Sequence, residues 1–82
     1  MNFWVYVLKS LKDGSHYVGS CGHVEERLKR HNQGDYRYTK GHRPWVIIYR
    51  ESFHSRSEAV KRERFLKTGV GRKQLKVLIP SE

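Results

Sequence analysis

The chain has 82 residues, with 17 Lys and Arg against eight Asp and Glu, giving a net charge of +9 and an isoelectric point near 10.1. That length allows one domain, residues 1–82, with a modest core, and no apolar run approaches the ~20 residues that span a bilayer. One cysteine, Cys21, excludes an internal disulfide framework and fits a reducing compartment. The opening MNFWVYVLKS lacks the basic n-region and small-residue cleavage site of a signal peptide, so the cytoplasm is the expected location. A basic domain of this size usually meets a polyanion, most often nucleic acid, rather than an acidic membrane.

Phe3 to Ser20, FWVYVLKSLKDGSHYVGS, reads as a β-hairpin, because Asp13-Gly14 lies between alternating apolar runs. A two-residue turn there places Ser10 opposite Tyr17, whereas a four-residue loop places Leu8 or Tyr6 opposite Tyr17. Every one of these registers keeps Tyr6 and Tyr17 on one sheet face. Two phenols so placed are either a core cluster or a site.

Val24 to Asn32 reads as a helix with Glu25 and Glu26 in its first turn, Lys29 and Arg30 in its last, and Gly34 as its stop. Asp35 to Arg43, DYRYTKGHR, is expected to be a polar, basic loop. Pro44 then opens a strand over Trp45–Glu51, rich in β-branched and aromatic residues. Ser55 with Glu58 three residues on is a capping-box pattern for a helix running to about Lys67 and stopping near Thr68-Gly69. Gly71 precedes a short final helix, Arg72–Ile79, stopped by Pro80. The expected class is α+β (α/β two-layer): a small, mainly antiparallel three-stranded sheet with flanking helices, in the order β-β-α-β-α with a short last helix.

Charges stand where core faces should be. Arg27 and His31 lie on or beside the stripe marked by Val24 and Leu28, and Glu63 falls on the stripe of Ala59 and Leu66. Burying an unpaired charge is costly, so each needs a partner, a metal or a cleft edge. The plainest structural alternative is an ion pair between Arg27 and Glu63. Taken with the two phenols, these residues suit phosphodiester chemistry: a cation for phosphate, a carboxylate for a divalent metal, and a group to activate water. Cys21, His23 and His31 fit no established closed zinc site, since a fourth ligand is missing.

Val5-Tyr6-Val7, Tyr17-Val18-Gly19, the Arg27-x3-His31 helix, TKGHRPW at Thr39–Trp45, and Glu63 within EAVKRERFLK follow one another in order. Together they resemble the GIY-YIG nuclease superfamily, in particular its small stand-alone bacterial members, over about Phe3 to Leu75. Trp4-Val5-Tyr6 stands where Gly-Ile-Tyr is usual, and no asparagine follows Asn32 to match one that many family nucleases place near the site. The resemblance implies divalent-metal-dependent hydrolysis of DNA phosphodiesters, with structured or damaged DNA in repair or recombination as the setting. It implies catalytic roles for Tyr6, Tyr17, Arg27, His31 and Glu63. Glu63 would hold one Mg²⁺ or Mn²⁺, Arg27 would stabilise developing charge, Tyr6 would activate water, and Tyr17 would position the water or the phosphate.

A free phenol is a poor base at neutral pH; Arg27 and the metal would favour the phenolate of Tyr6, and neutral His31 could accept its proton. Arg37, Lys40 and Arg43 with Tyr36 and Tyr38, together with Lys67, Arg72 and Lys73, supply the cations and stacking faces expected of a DNA contact. Target choice rests on this domain or on a protein partner, no membrane is involved, and the chain is expected to be a monomer or weak dimer. The alternative is a module of the same fold that binds nucleic acid and cleaves it weakly or not at all.

Overall fold

The computed structural model describes residues 2–79. Strand β1 (Phe3–Ser10) is the central member of an antiparallel sheet ordered β2-β1-β3, with β2 at His16–Cys21 and β3 at Trp45–Phe53. Its composition follows from that position. Successive side chains point to opposite faces, both faces are covered, and Val5, Tyr6, Val7 and Leu8 are therefore all buried. One face packs Val5, Val7 and Val18 against Ala59 and Leu66 of one helix and Leu75 of another. The other face packs Tyr6, Leu8 and Cys21 with Val24, Leu28, Trp45 and Ile47. The α+β class holds as expected, but helices on both faces give three layers rather than two.

The hairpin takes the wider loop. Ser10 N–H donates to Ser15 O at 2.8 Å and Gly14 N–H donates to Ser10 O at 2.9 Å, enclosing residues 11–14. The Ser10 hydroxyl accepts from the amides of Lys12 and Asp13 at 3.1 and 3.2 Å, which draws the loop back over the strand end. Tyr17 consequently stands opposite Leu8, and Gly19 opposite Tyr6.

Helix α1 (Val24–Gln33) ends at Gly34, as its sequence indicates. Residues 35–43 are not wholly loop, because Arg37–Lys40 form a single helical turn, α2, that buries Thr39. Strand β3 runs two residues beyond Glu51 and slips by one against β1: Val7 pairs with Tyr49 but Leu8 with Ile47, a bulge at Ile48. Ser55 caps α3 (Arg56–Leu66) by accepting from Glu58 N–H at 3.2 Å. Helix α4 (Gly69–Leu78) begins three residues before Arg72, because the Thr68 hydroxyl accepts from Gly71 N–H at 3.1 Å and caps it. Gly71 is buried against the end of α3, where a Cβ would lie 2.0 Å from Phe65 O and 2.5 Å from Leu66 Cα. The stop expected at Pro80 lies outside the described residues. No helix among those described is long and apolar enough to cross a membrane.

Candidate functional site

The hairpin register sets the Tyr6 and Tyr17 rings 6.3 Å apart, both over Gly19. A Cβ at Gly19 would meet the Tyr6 hydroxyl at 2.5 Å and the Tyr17 ring at 3.1 Å, so the bare backbone is what admits the two rings. Helix α1 adds His31, whose Nε2 lies 3.0 Å from Tyr6 Oη and whose Nδ1 lies 2.8 Å from Thr39 Oγ1. Its ring centre is 4.9 Å from that of Tyr17. Tyr6, His31 and Thr39 are all buried, whereas Tyr17 keeps partial exposure.

Burial, reinforced by the Arg27 charge, pushes His31 down to about 4, so the ring is neutral at pH 7. Burial also drives the Tyr6 hydroxyl far above the ordinary phenol range, with Tyr17 and Cys21 adding to the rise and Arg27 only partly opposing it. Tyr17 is raised as well, again chiefly by burial, with Lys67 opposing and Glu63 adding.

Arg27 stacks over the Tyr36 ring at 5.7 Å, and that ring lies 4.6 Å from His31. The Arg27–Glu63 ion pair does not form. Glu63 instead accepts from Ser20 Oγ at 2.5 Å and pairs with Lys67 Nζ at 2.9 Å. Lys67 in turn lies 5.6 Å from the centre of the Tyr17 ring. Because Ser20 and Tyr17 point to opposite faces of β2, Glu63 reaches the tyrosines around the sheet edge rather than from above them.

The five sequence-derived residues are thus unequally gathered. Tyr6, Tyr17 and His31 touch; Arg27 acts on all three through its charge; Glu63 acts on Tyr17 across the β2 edge. Tyr17 and Arg27 line different cavities. Tyr17 lines an open groove of about 800 Å³ along the β2 edge, with Tyr38, Lys67, Arg72 and Lys76. Arg27 lines a separate cleft of about 310 Å³.

Of the expected DNA contacts, Arg37, Tyr38 and Lys40 ride on α2, with Tyr38 57% exposed and its ring 6.2 Å from Tyr17. Arg43 folds back so that its Nε donates to Lys40 O at 2.9 Å. Lys67 and Arg72 line the groove, and Lys73 is exposed on α4 outside it. Tyr36, expected as a stacking face for DNA, instead lies under Arg27. Three residues that hold the site have no role assigned from the sequence: Thr39 behind His31, Ser20 on Glu63, and Asn32, which ties α1 to β3 by accepting from Trp45 N–H at 2.7 Å and donating to Trp45 O at 3.1 Å. Their one sequence signal is position, beside or one turn from a residue already suspected.

The α+β fold, a three-stranded antiparallel sheet with flanking helices, is that of the GIY-YIG domain class. The chain belongs to the GIY-YIG catalytic domain family, whose profile matches residues 2–76. It is 42% identical over 76 residues to the UPF0213 protein SSP2268 of Staphylococcus saprophyticus, covering 92% of each chain. It is 43% identical to the UPF0213 protein SH2523 of Staphylococcus haemolyticus, again over 92% of each. Its fold is similar to the solution NMR structure of the UPF0213 protein BH0048 from Bacillus halodurans, with a TM-score of 0.56 and 36% identity, covering 95% of this chain and 85% of that one.

A divalent cation fits the donors present. The Glu63 carboxylate and the Ser20 hydroxyl are hard oxygen donors side by side. Among the described residues no three His, Cys, Asp or Glu cluster as a closed cage.

Proposed function

We propose that this protein is a single-domain, divalent-metal-dependent endonuclease that hydrolyses DNA phosphodiester bonds in the cytoplasm. The observation that carries the proposal is the cluster in which Tyr6 Oη meets buried His31 Nε2 at 3.0 Å beside half-buried Tyr17, under a guanidinium, Arg27, that no carboxylate neutralises among the described residues. A structural ion-pair network would have cancelled that charge. Left uncancelled next to phenols, it suits an anion that arrives from solution, and developing negative charge on a phosphate is what such a group stabilises.

Glu63 and Ser20 would hold the ion, which when bound supplies Lewis-acid polarisation of the phosphate. Lys67 neutralises Glu63 until then. Between the tyrosines, burial divides the labour differently from the family resemblance. Tyr6 is 1% exposed and its hydroxyl is held by His31, so it positions; Tyr17, the phenol at the surface, contacts the water or the phosphate. Neutral His31, pinned from behind by Thr39, fixes the Tyr6 hydroxyl and through it the floor on which Tyr17 rests.

The test is nicking of plasmid, flap and branched DNA with Mg²⁺ or Mn²⁺. Glu63→Gln is expected to lower the rate by at least about a hundredfold, and Tyr17→Phe to cost more than Tyr6→Phe. Metal-dependent cleavage that persists in Glu63→Gln would overturn the metal role. The second reading, a binding module that does not cleave, draws on the Lys67–Glu63 ion pair, which occupies the one carboxylate the chemistry needs. DNA binding without cleavage by wild type and by Lys67→Ala alike would favour it.

A further inference from the structure

Among the described residues four guanidiniums lie over aromatic rings: Arg27 on Tyr36 at 5.7 Å, Arg50 on Trp4 at 5.1 Å, Arg56 on Phe3 at 5.2 Å and Arg62 on Phe65 at 5.5 Å. Two of them also hold carboxylates, Arg50 with Glu25 and Arg62 with Glu51. The other two, Arg27 and Arg56, hold none among the described residues, and both line the 310 Å³ cleft. Arg30 is the third arginine there. Its partner Glu26 stands at 3.9 Å, beyond hydrogen-bond range, with both side chains more than half exposed, so the pair cancels little charge.

We propose that this cleft is a second phosphate site, in which Arg30 and Arg56 hold a backbone phosphate of the same nucleic-acid strand that passes the tyrosines. Stacking fixes the plane of a guanidinium while leaving its N–H fork free, which is the arrangement that binds a phosphate through two parallel hydrogen bonds. Arg27 links the cleft to the catalytic cluster: it lines the cleft and stacks on Tyr36, whose ring lies 4.6 Å from His31. A strand whose scissile phosphate lies at Arg27 and Tyr17 therefore carries a flanking phosphate into the cleft. Its other arm follows the groove of Lys67 and Arg72. The identity of the strand as substrate rests on the nuclease proposal above; the presence of a phosphate site does not.

The experiment is equilibrium binding of a labelled DNA oligonucleotide in EDTA between about 50 and 200 mM salt, with cleavage followed separately at saturating DNA. Arg30→Ala and Arg56→Ala are each expected to weaken binding about three- to tenfold and to lower the slope of log affinity against log salt by up to about 0.9. Lys29→Ala, an equal loss of charge on the exposed face of α1, is expected to leave the slope at its wild-type value. Arg56→Lys keeps the charge but loses the planar fork, and should fall between wild type and Arg56→Ala. The cleavage rate should be retained in Lys29→Ala, which removes no group at the tyrosines or in the cleft. Slopes for Arg30→Ala and Arg56→Ala that equal that of Lys29→Ala would overturn the proposal. The expected slopes with no cleavage by wild type would overturn the nuclease reading alone, and unchanged slopes with Glu63-dependent cleavage would overturn the cleft alone.

Discussion

Buried between Tyr6 and Thr39, with Arg27 close by, the His31 ring cannot take up a proton without placing a charge among partners arranged for a neutral imidazole. Its folded pKa of about 4 lies below the ordinary 6.5. Between those values the unfolded chain binds a proton that the folded chain does not. Stability from this group is therefore complete above about pH 6.5 and is lost as pH falls toward 4. By pH 5 the loss should be on the order of 2 kcal/mol. Urea unfolding at pH 7 and pH 5 measures it, and His31→Gln should flatten the difference across that interval. The carboxylates lowered by their partners, Glu25 and Glu51, lose stability only below about 4.5, so they do not mimic it. The periodicity of α1 marks His31 as lying on a buried stripe, but not what satisfies it. Thr39 sits eight residues away in a segment whose composition reads as loop, and Ser20 meets Glu63 across 43 residues. Long-range polar partners of this sort leave no local pattern to read.

At the scale of elements, the signals that proved legible are those whose cause is local. Asp13-Gly14 marks a hairpin, Gly34 ends α1, and Ser55 with Glu58 starts α3. The start of α4 was hidden because Thr68-Gly69-Val70-Gly71 has the composition of a turn. Gly71 is there for a tertiary reason: α4 crosses the end of α3 so closely that a Cβ would strike Phe65 O and Leu66 Cα, backbone atoms that cannot rotate away. Gly71→Ala should therefore lower stability by about 3 kcal/mol despite alanine's better helix propensity. Gly69→Ala, in the same helix with open space around it, should be close to neutral. Thermal unfolding of the two variants side by side separates close approach from propensity, because propensity alone would stabilise both. The same junction carries Lys67 and Arg72 toward the groove.

Across the whole molecule, six of the 17 Lys and Arg line two cavities: Lys67, Arg72 and Lys76 the groove beside Tyr17, and Arg27, Arg30 and Arg56 the cleft. Their chemistry differs. The arginine cleft is polar and small, whereas the groove along β2 is larger and mixes Lys67, Arg72 and Lys76 with Tyr38, Val18 and Leu75. Among the described residues no Asp or Glu lines the groove, and Tyr38, 57% exposed, has its ring centre 6.2 Å from that of Tyr17 and 4.9 Å from that of His42. Charge and stacking can be separated there by one pair of substitutions. Tyr38→Ala removes a stacking face worth about 1–3 kcal/mol per base, so DNA affinity should fall roughly five- to a hundredfold while the salt slope stays as in wild type. Arg72→Ala removes a phosphate contact, so its affinity loss should come with a slope lower by about 0.9. Binding isotherms across a salt series, with Lys29→Ala as the charge control, read both quantities at once. A Tyr38→Ala protein that binds like wild type at every salt concentration would show that the ring lies off the path of the nucleic acid and that the groove acts through its cations alone.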